Sequence, residues 1–453
     1  MSTDLPARLL AHLEEGGLFP EPGLALLAVS GGPDSVAMLA LLVHVAPQLK
    51  LDLAVAHVDH GILPESGSVA RGVKQLAERY GLEFHLARLE LGAGASETRA
   101  REARYDVLRE LQRSTGARYL ATAHHADDQV ETVLHRLLRG SGVAGLAGIP
   151  ERGPRGLVRP LLSLRREELE SWLDEVDLNA AVVHRDPSNS DERHDRVWIR
   201  RKLLPTIVQR FGPDAERRLL EVARHAGSER RAWASLLRSL EELEFRAKRG
   251  SVEVARAPLQ RYDKTLSEAL LRALAREVGC VVGPRRAALL RRFACRSSSG
   301  RVMQLGAGFE AELAFDRLRI VPVSGRSATV EGVVCGAEPE GVVRWHGWEL
   351  AWRPDRAGRS TRRSLVSWFT PGEGIFRGAA EGDRIAPLGG VGRRKVRRLL
   401  MESRVPFTER AGYPVLVRDD DVLWIPGVCR SRLDVPQAGG SAMRLEARVL
   451  TEE

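Results

Sequence analysis

Leu24-Ala25-Leu26-Leu27-Ala28-Val29-Ser30-Gly31-Gly32-Pro33-Asp34-Ser35 decides how this chain folds. Residues 24–29 are a short apolar run of the kind that makes a strand buried on both faces. Residues 36–45 are apolar almost throughout and read as a buried helix. Ser30 to Ser35 is therefore the turn between a strand and a helix. Such a turn presents backbone N–H groups and the positive end of the helix dipole to an anion. Gly31 and Gly32 let the backbone approach a phosphate, because no Cβ intervenes. Pro33 suits a first helical turn, where its missing N–H costs little. Ser30 and Ser35 add hydroxyl donors, and Asp34 suits a magnesium ion that bridges phosphate oxygens. This is not a Walker A loop, since no lysine follows the glycines. An ordinary turn accounts for a bare Gly-Gly pair, not for six such residues in this setting.

Outward from the loop, strand and helix alternate regularly. Residues 5–13 have helical spacing; 51–57, 84–91 and 119–123 read as strands; 65–80, 96–114 and 127–138 read as helices. That alternation predicts an α/β domain with a doubly wound parallel sheet. Ligands bind such sheets at the carboxyl ends of the strands. Two polar clusters fall there: His57-Val58-Asp59-His60-Gly61, and the run from Thr122 through His124, His125, Asp127, Asp128 and Glu131 to Thr132. Asp127 or Asp128 is a normal helix N-cap, which accounts for one carboxylate. Three carboxylates and two histidines beside a phosphate loop point further, to magnesium held by Asp34 with Asp128 or Asp127. A zinc site from His57, His60, His124 and His125 has no recognised spacing. Four glycines between Gly140 and Gly148 suggest a mobile loop that approaches a ligand closely.

The formal charge of +9 and a sequence pI of about 9.8 favour a polyanionic partner such as nucleic acid. No apolar run approaches membrane-spanning length, and residues 1–22 lack the pattern of a signal peptide. The four cysteines (Cys280, Cys295, Cys335, Cys429) are scattered, without a Cys-x-x-Cys pair, which argues against a disulfide framework or a metal cluster. A cytoplasmic location is expected.

From Phe211 the texture changes. Residues 214–248 read as largely helical, 266–275 and 285–293 as two more helices, and 301–323 as paired strands. Residues 326–339 read as a linker, and a β-rich segment follows. The expected division is 1–212 for the α/β domain, 213–325 for a helical middle domain and 341–453 for a smaller mixed α+β domain. Arg393, Arg394, Lys395, Arg397 and Arg398 place five cations in six residues, opening a helix to about Glu402. With the net charge, they suggest contact with nucleic-acid phosphates.

The loop Ser30 to Ser35 resembles that of the PP-loop ATP pyrophosphatases, which cleave ATP between the α- and β-phosphates. Over the whole chain the resemblance is to the tRNA(Ile)-lysidine synthetases. It rests on His57 to Gly61, Ala100-Arg101-Glu102-Ala103-Arg104-Tyr105, His124 to Thr132, Arg139 to Leu146, Asp186 to Asn189, and the segment from Gly382 to Val428. Two departures are visible: Leu63 stands where the family usually has arginine, and Val197 stands within a stretch that usually reads Arg-Asn-x-Ile-Arg.

The resemblance implies an enzyme that transfers AMP from ATP to the C2 oxygen of a wobble cytidine. The ε-amine of L-lysine then displaces AMP, giving lysidine in isoleucine tRNA with a CAU anticodon. Under it, Ser30, Gly31, Gly32, Pro33, Asp34, Ser35 and His57 hold ATP. Asp34, Asp127, Asp128, His125 and Arg196 serve catalysis, with Asp34 and Asp128 holding magnesium. His60, Glu131, Arg139, Arg200, Arg393, Arg394, Lys395 and Arg397 contact lysine or tRNA, and a homodimer is left open. Competing classes are a PP-loop tRNA thiolase, an ATP-dependent amidotransferase, and a tRNA binder with a degenerate loop. The first two lack suitably placed cysteines.

Overall fold

Strand β1 (Gly23–Ala28) pairs in parallel with β2 (Leu51–Asp59) on one side and β4 (Tyr119–Ala121) on the other. With β3 (Glu83–Arg88) and β5 (Leu157–Val158) this makes an all-parallel sheet of order β3-β2-β1-β4-β5. The molecule is described as a computed structural model over residues 5–59, 66–89, 97–178, 194–248, 250–323 and 332–450. The sequence expectations for His60, Gly61, Leu63 and Asp186 to Asn189 lie outside these residues.

Parallel strands need crossovers, and helices supply them: α1 (Leu5–Glu15) precedes the sheet, and α2 (Pro33–Leu49), α3 (Ser66–Arg79), α4 (Glu97–Ser114), α5 (Ala126–Leu138), α6 (Val143–Leu146) and α7 (Arg166–Glu175) follow in turn. One face of the sheet buries Leu27, Val55 and Tyr119 against Val36, Leu39 and Leu173. The other buries Leu26, Ala54 and Leu120 against Leu108 and Leu157. Residues that alternate along β1 thus point into two separate cores, which is why the strand reads as continuously apolar. Beyond α7 come α8 (Asp195–Trp198), a π-helical turn (Ile199–Leu203), α9 (Leu204–Phe211) and α10 (Ala215–Ser239).

Two compact units divide within α10, residues 1–231 and 232–453. The second opens with more strand than the sequence suggested. Residues 246–248 and 251–255 join strands 317–322, 309–314 and 302–306 in a five-stranded antiparallel sheet covered by helices 264–277 and 284–296. The long helix therefore ends at Ser239 rather than near Lys248. Further on, a five-stranded and a four-stranded antiparallel sheet share a core that includes Phe369, Phe376 and Trp424. Val333–Cys335, expected within a linker, is an edge strand with Cys335 fully buried. Arg430, also fully buried, donates to the carbonyls of Leu423, Ser431, Leu433, Trp368 and Asp434, so its charge is held in the core by backbone oxygens. No helix among the described residues is long and apolar enough to cross a membrane.

Candidate active site

The β1–α2 turn and the β4–α5 turn leave neighbouring strands at the same end of the sheet, where the strand order reverses. This is the crevice in which open α/β sheets bind ligands. Gly31 takes φ +88, in the left-handed region that favours glycine, and turns the chain into α2. No side chain caps the first turn of α2. Ser35 stitches the loop together from below: its hydroxyl donates to the Gly32 carbonyl at 2.8 Å and accepts from the Ser30 and Gly31 N–H groups at 3.2 Å each. His57, buried at the end of β2, lies with Nδ1 2.8 Å from the Val29 carbonyl. A carbonyl only accepts, so the proton sits on Nδ1 and the ring supports the loop backbone.

The N-cap of α5 is His125, not Asp127 or Asp128. Its Nδ1 lies 3.2 Å from the Asp127 N–H, and the Asp128 carboxylate accepts from the His125 N–H at 3.1 Å. The ring is fully buried and surrounded by acid: Asp127 Oδ2 at 3.3 Å, Asp34 Oδ2 at 3.6 Å and Asp128 Oδ2 at 3.6 Å. Burial opposes charge on the ring, but hydrogen bonds to Asp127 and Asp34 outweigh it and raise His125 to about 9. Arg166 Nη2, 3.1 Å from Nε2, also faces the ring, against three carboxylates. The same contacts hold Asp34 and Asp127 below the usual carboxylate range, although burial alone would raise both. His124, one residue earlier, behaves oppositely. Burial, then Arg159, Arg101 and Arg104, push it down to about 3, so it is neutral.

Two arginines that the sequence reading passed over complete the cluster. Arg165 reaches Asp127 Oδ1 at 2.6 Å and also pairs with Glu216 on α10. Arg166 gives its backbone N–H to Asp127 at 2.8 Å and stands 3.5 Å from Asp34. They sit where α7 begins, and nothing in local sequence distinguishes them from solvated helix-start charges. The basic run 196–202 divides. Arg200 forks onto buried Glu131 at 2.5 and 3.1 Å and lies 4.0 Å from Asp128, whereas Arg196 is exposed. Burial raises the Glu131 carboxyl, with Arg200 pulling the other way. The π-helical turn explains the split: Ile199 packs with Val130 and Leu134 of α5 and carries Arg200 inward.

The glycine run folds as the short helix α6, strapped to α5 by Arg136, which donates to the Gly145 and Gly148 carbonyls at 2.9 and 2.7 Å. Gly148 has φ +62, and a Cβ there would stand 2.2 Å from Gln129 Oε1, so any other residue is strained and must displace the Gln129 amide from Ile149. Arg139 is exposed, 3.8 Å from Asp195. In the second unit, Arg393 pairs with Asp421, while Arg394 and Arg398 pair with Glu402. Among the described residues Lys395 and Arg397 have no carboxylate partner, and the Arg397 guanidinium lies 5.7 Å over the Phe407 ring. The helix there starts at Val396, so three of the five cations precede it.

A divalent cation fits the first unit's cluster. Asp34 Oδ1 is buried without a hydrogen-bond partner while Oδ2 faces His125 and Arg166. An ionised oxygen in that position suits a hard cation. No group of three or more His, Cys, Asp or Glu ligands stands together among the described residues. Magnesium does not need one, because it keeps waters and takes phosphate oxygens alongside one or two carboxylates.

Residues 3–207 match the PP-loop domain, and residues 376–446 match the TilS substrate C-terminal domain. A tRNA(Ile)-lysidine synthase of Symbiobacterium thermophilum is 34% identical, with 94% of this chain and 95% of the relative aligned. One of Geobacter sulfurreducens is 33% identical, covering 96% and 95%. Among solved structures, a U34-tRNA thiolase from Methanococcus maripaludis superposes with a TM-score of 0.39 at 18% identity, over 46% of this chain and 72% of that one.

Proposed function

The chain belongs to the tRNA(Ile)-lysidine synthases, enzymes acting on tRNA with an ATP-using PP-loop domain, and we propose that it joins L-lysine to the wobble cytidine of isoleucine tRNA bearing CAU. In this reading ATP first transfers AMP to the C2 oxygen of the cytidine, releasing pyrophosphate. The lysine ε-amine then forms the C2–N bond, AMP leaves with that oxygen, and the amine's proton passes to a base. The observation that carries the reading is the convergence of the Ser30–Ser35 loop with Asp34, Asp127 and Asp128 at the strand-order reversal, in a chain of this family.

The uncapped start of α2, whose N-cap is Gly32, receives the phosphates, with Ser35 holding the Ser30 and Gly31 N–H groups so that the turn keeps its shape. Asp34 and Asp128 would hold magnesium, which when bound neutralises charge on the departing pyrophosphate. His125 and Arg166 keep Asp34 and Asp127 ionised and aimed, ready for such a cation. Arg200 stands ready to move from Glu131 to a phosphate. That move would leave Glu131, whose carboxyl burial raises, to accept a proton or to bind the lysine ammonium. Arg196 and Arg139, exposed beside the cluster, are assigned to tRNA, as are Lys395 and Arg397 in the second unit. A thiolase reading lacks support: all four cysteines lie after residue 279, none in the unit that carries the loop.

The test is release of AMP and pyrophosphate from magnesium-ATP. It should depend on unmodified isoleucine tRNA and fall by orders of magnitude in Asp34→Ala. Release that ignores tRNA, or that persists in Asp34→Ala, contradicts the assignment.

A further inference from the structure

Helix α8 ends in Trp198, an aromatic side chain 44% exposed, two residues before Arg200 enters the acidic cluster. Ordinary packing does not account for it. Its neighbours Val197 and Ile199 are buried and fasten the helix, while Trp198 faces solvent. The face is fixed in place from α5: Asp195, one turn before Trp198, pairs with His135 at 3.2 Å and with Arg139 at 3.8 Å. Leu138, the residue before Arg139, and Val143, at the start of α6, are exposed apolar side chains as well, at 65% and 54%. Cations accompany them. Arg139 and Arg196 are exposed, and Arg196 has no carboxylate partner among the described residues. An exposed aromatic held rigidly, flanked by arginines and adjoining a nucleotide site, has the chemistry of a stacking platform for single-stranded nucleic acid.

We propose that Trp198, with the apolar surface of Leu138 and Val143 and the cations Arg139 and Arg196, forms a docking surface on which an unpaired base of the tRNA, adjacent to the base being modified, stacks. The inference rests on the tRNA reading and deepens it. Removing a base from its stack for chemistry leaves its neighbours unstacked, and a rigid indole replaces the contact they lose. Arg139 and Arg196 meet the phosphates on either side of that base. Trp198 is then a positioning residue for the RNA and takes no part in ATP binding.

The experiment measures binding of fluorescent isoleucine tRNA by anisotropy for the whole protein and for Trp198→Ala and Trp198→Phe. Parallel tRNAs carry an abasic nucleotide on either side of the target. Base stacking on an aromatic side chain predicts a loss of about 5- to 100-fold for Trp198→Ala and at most about threefold for Trp198→Phe. ATP-analogue affinity and melting temperature should match wild type in both. One abasic position should weaken wild type by a similar factor and add nothing to Trp198→Ala. Unchanged tRNA affinity in Trp198→Ala, or losses that add at both abasic positions, overturns the stacking surface while leaving the tRNA reading intact. A change of oligomeric state in place of tRNA affinity makes the face a protein interface and likewise overturns it. A wild-type protein that binds no tRNA overturns both.

Discussion

His125→Asn removes the cation at the centre of the acidic cluster and puts a neutral residue that suits an N-cap in its place. The wild-type ring is raised from an ordinary value near 6.5 to about 9, chiefly by Asp127 and Asp34 against the cost of burial. A shift of that size corresponds to about 3 kcal/mol of folding stability, at about 1.4 kcal/mol per pH unit. Because the folded pKa lies above the unfolded one, that contribution is fully present below about pH 6.5 and is lost as pH rises through 9. Hydrogen exchange of the β4–α5 segment in the full-length protein, from pH 6 to 10, reads this locally without requiring the two units to unfold together. The predicted opening free energy of wild type exceeds that of His125→Asn by about 3 kcal/mol at pH 6, and the gap closes toward pH 10. A gap that is constant with pH, or that widens as pH rises, would refute a charged His125 held by the carboxylates.

Ser35→Ala removes the hydroxyl that joins Ser30, Gly31 and Gly32, and should raise the KM for ATP about tenfold and cost about 1–2 kcal/mol of stability. Steady-state kinetics and thermal unfolding check the two parts separately, and an unchanged KM would mean the loop holds its shape without that hydroxyl. Arg200→Met strands Glu131 in its buried position and should destabilise the first unit by about 3–5 kcal/mol; adding Glu131→Leu should restore most of it. A urea-denaturation double-mutant cycle measures this, and simple additivity of the two changes would contradict the pairing.

Much of the first unit was legible because its information is local. The apolar run 24–29, the Ser-Gly-Gly turn and the buried helix after it declare a parallel strand and its crossover, and the alternation repeats with short connections. The second unit was harder to read. Strand 251–255 pairs with 246–248 on one side and, on the other, with a strand more than sixty residues later in the chain, and no local periodicity announces that distant partner. Cys335, in a stretch of small residues, is buried because its short edge strand pairs with strand 374–378 and turns it into the core.

At the site, the carboxylates and histidines declared themselves by position at strand ends. The roles within the cluster did not. His125, at the N-cap of α5, draws the Asp34, Asp127 and Asp128 carboxylates round its charged ring, while Arg165 and Arg166, about forty residues on, hold Asp127 from the start of α7. Arginine at a helix start carries no sequence signal of that kind. The separation of Arg200 from Arg196 depended on a π-helical turn that an α-helical reading of 195–204 does not contain.

Transfer of labelled L-lysine to tRNA decides whether this chain makes lysidine. Purified protein, magnesium-ATP and labelled lysine would be incubated with unmodified isoleucine tRNA bearing CAU, and in parallel with methionine tRNA. The predicted result is one lysine per isoleucine tRNA, located at the wobble cytidine by nuclease digestion and mass spectrometry, with none in methionine tRNA. ATP consumption with no lysine in either tRNA would contradict the account and assign the loop to a different adenylation.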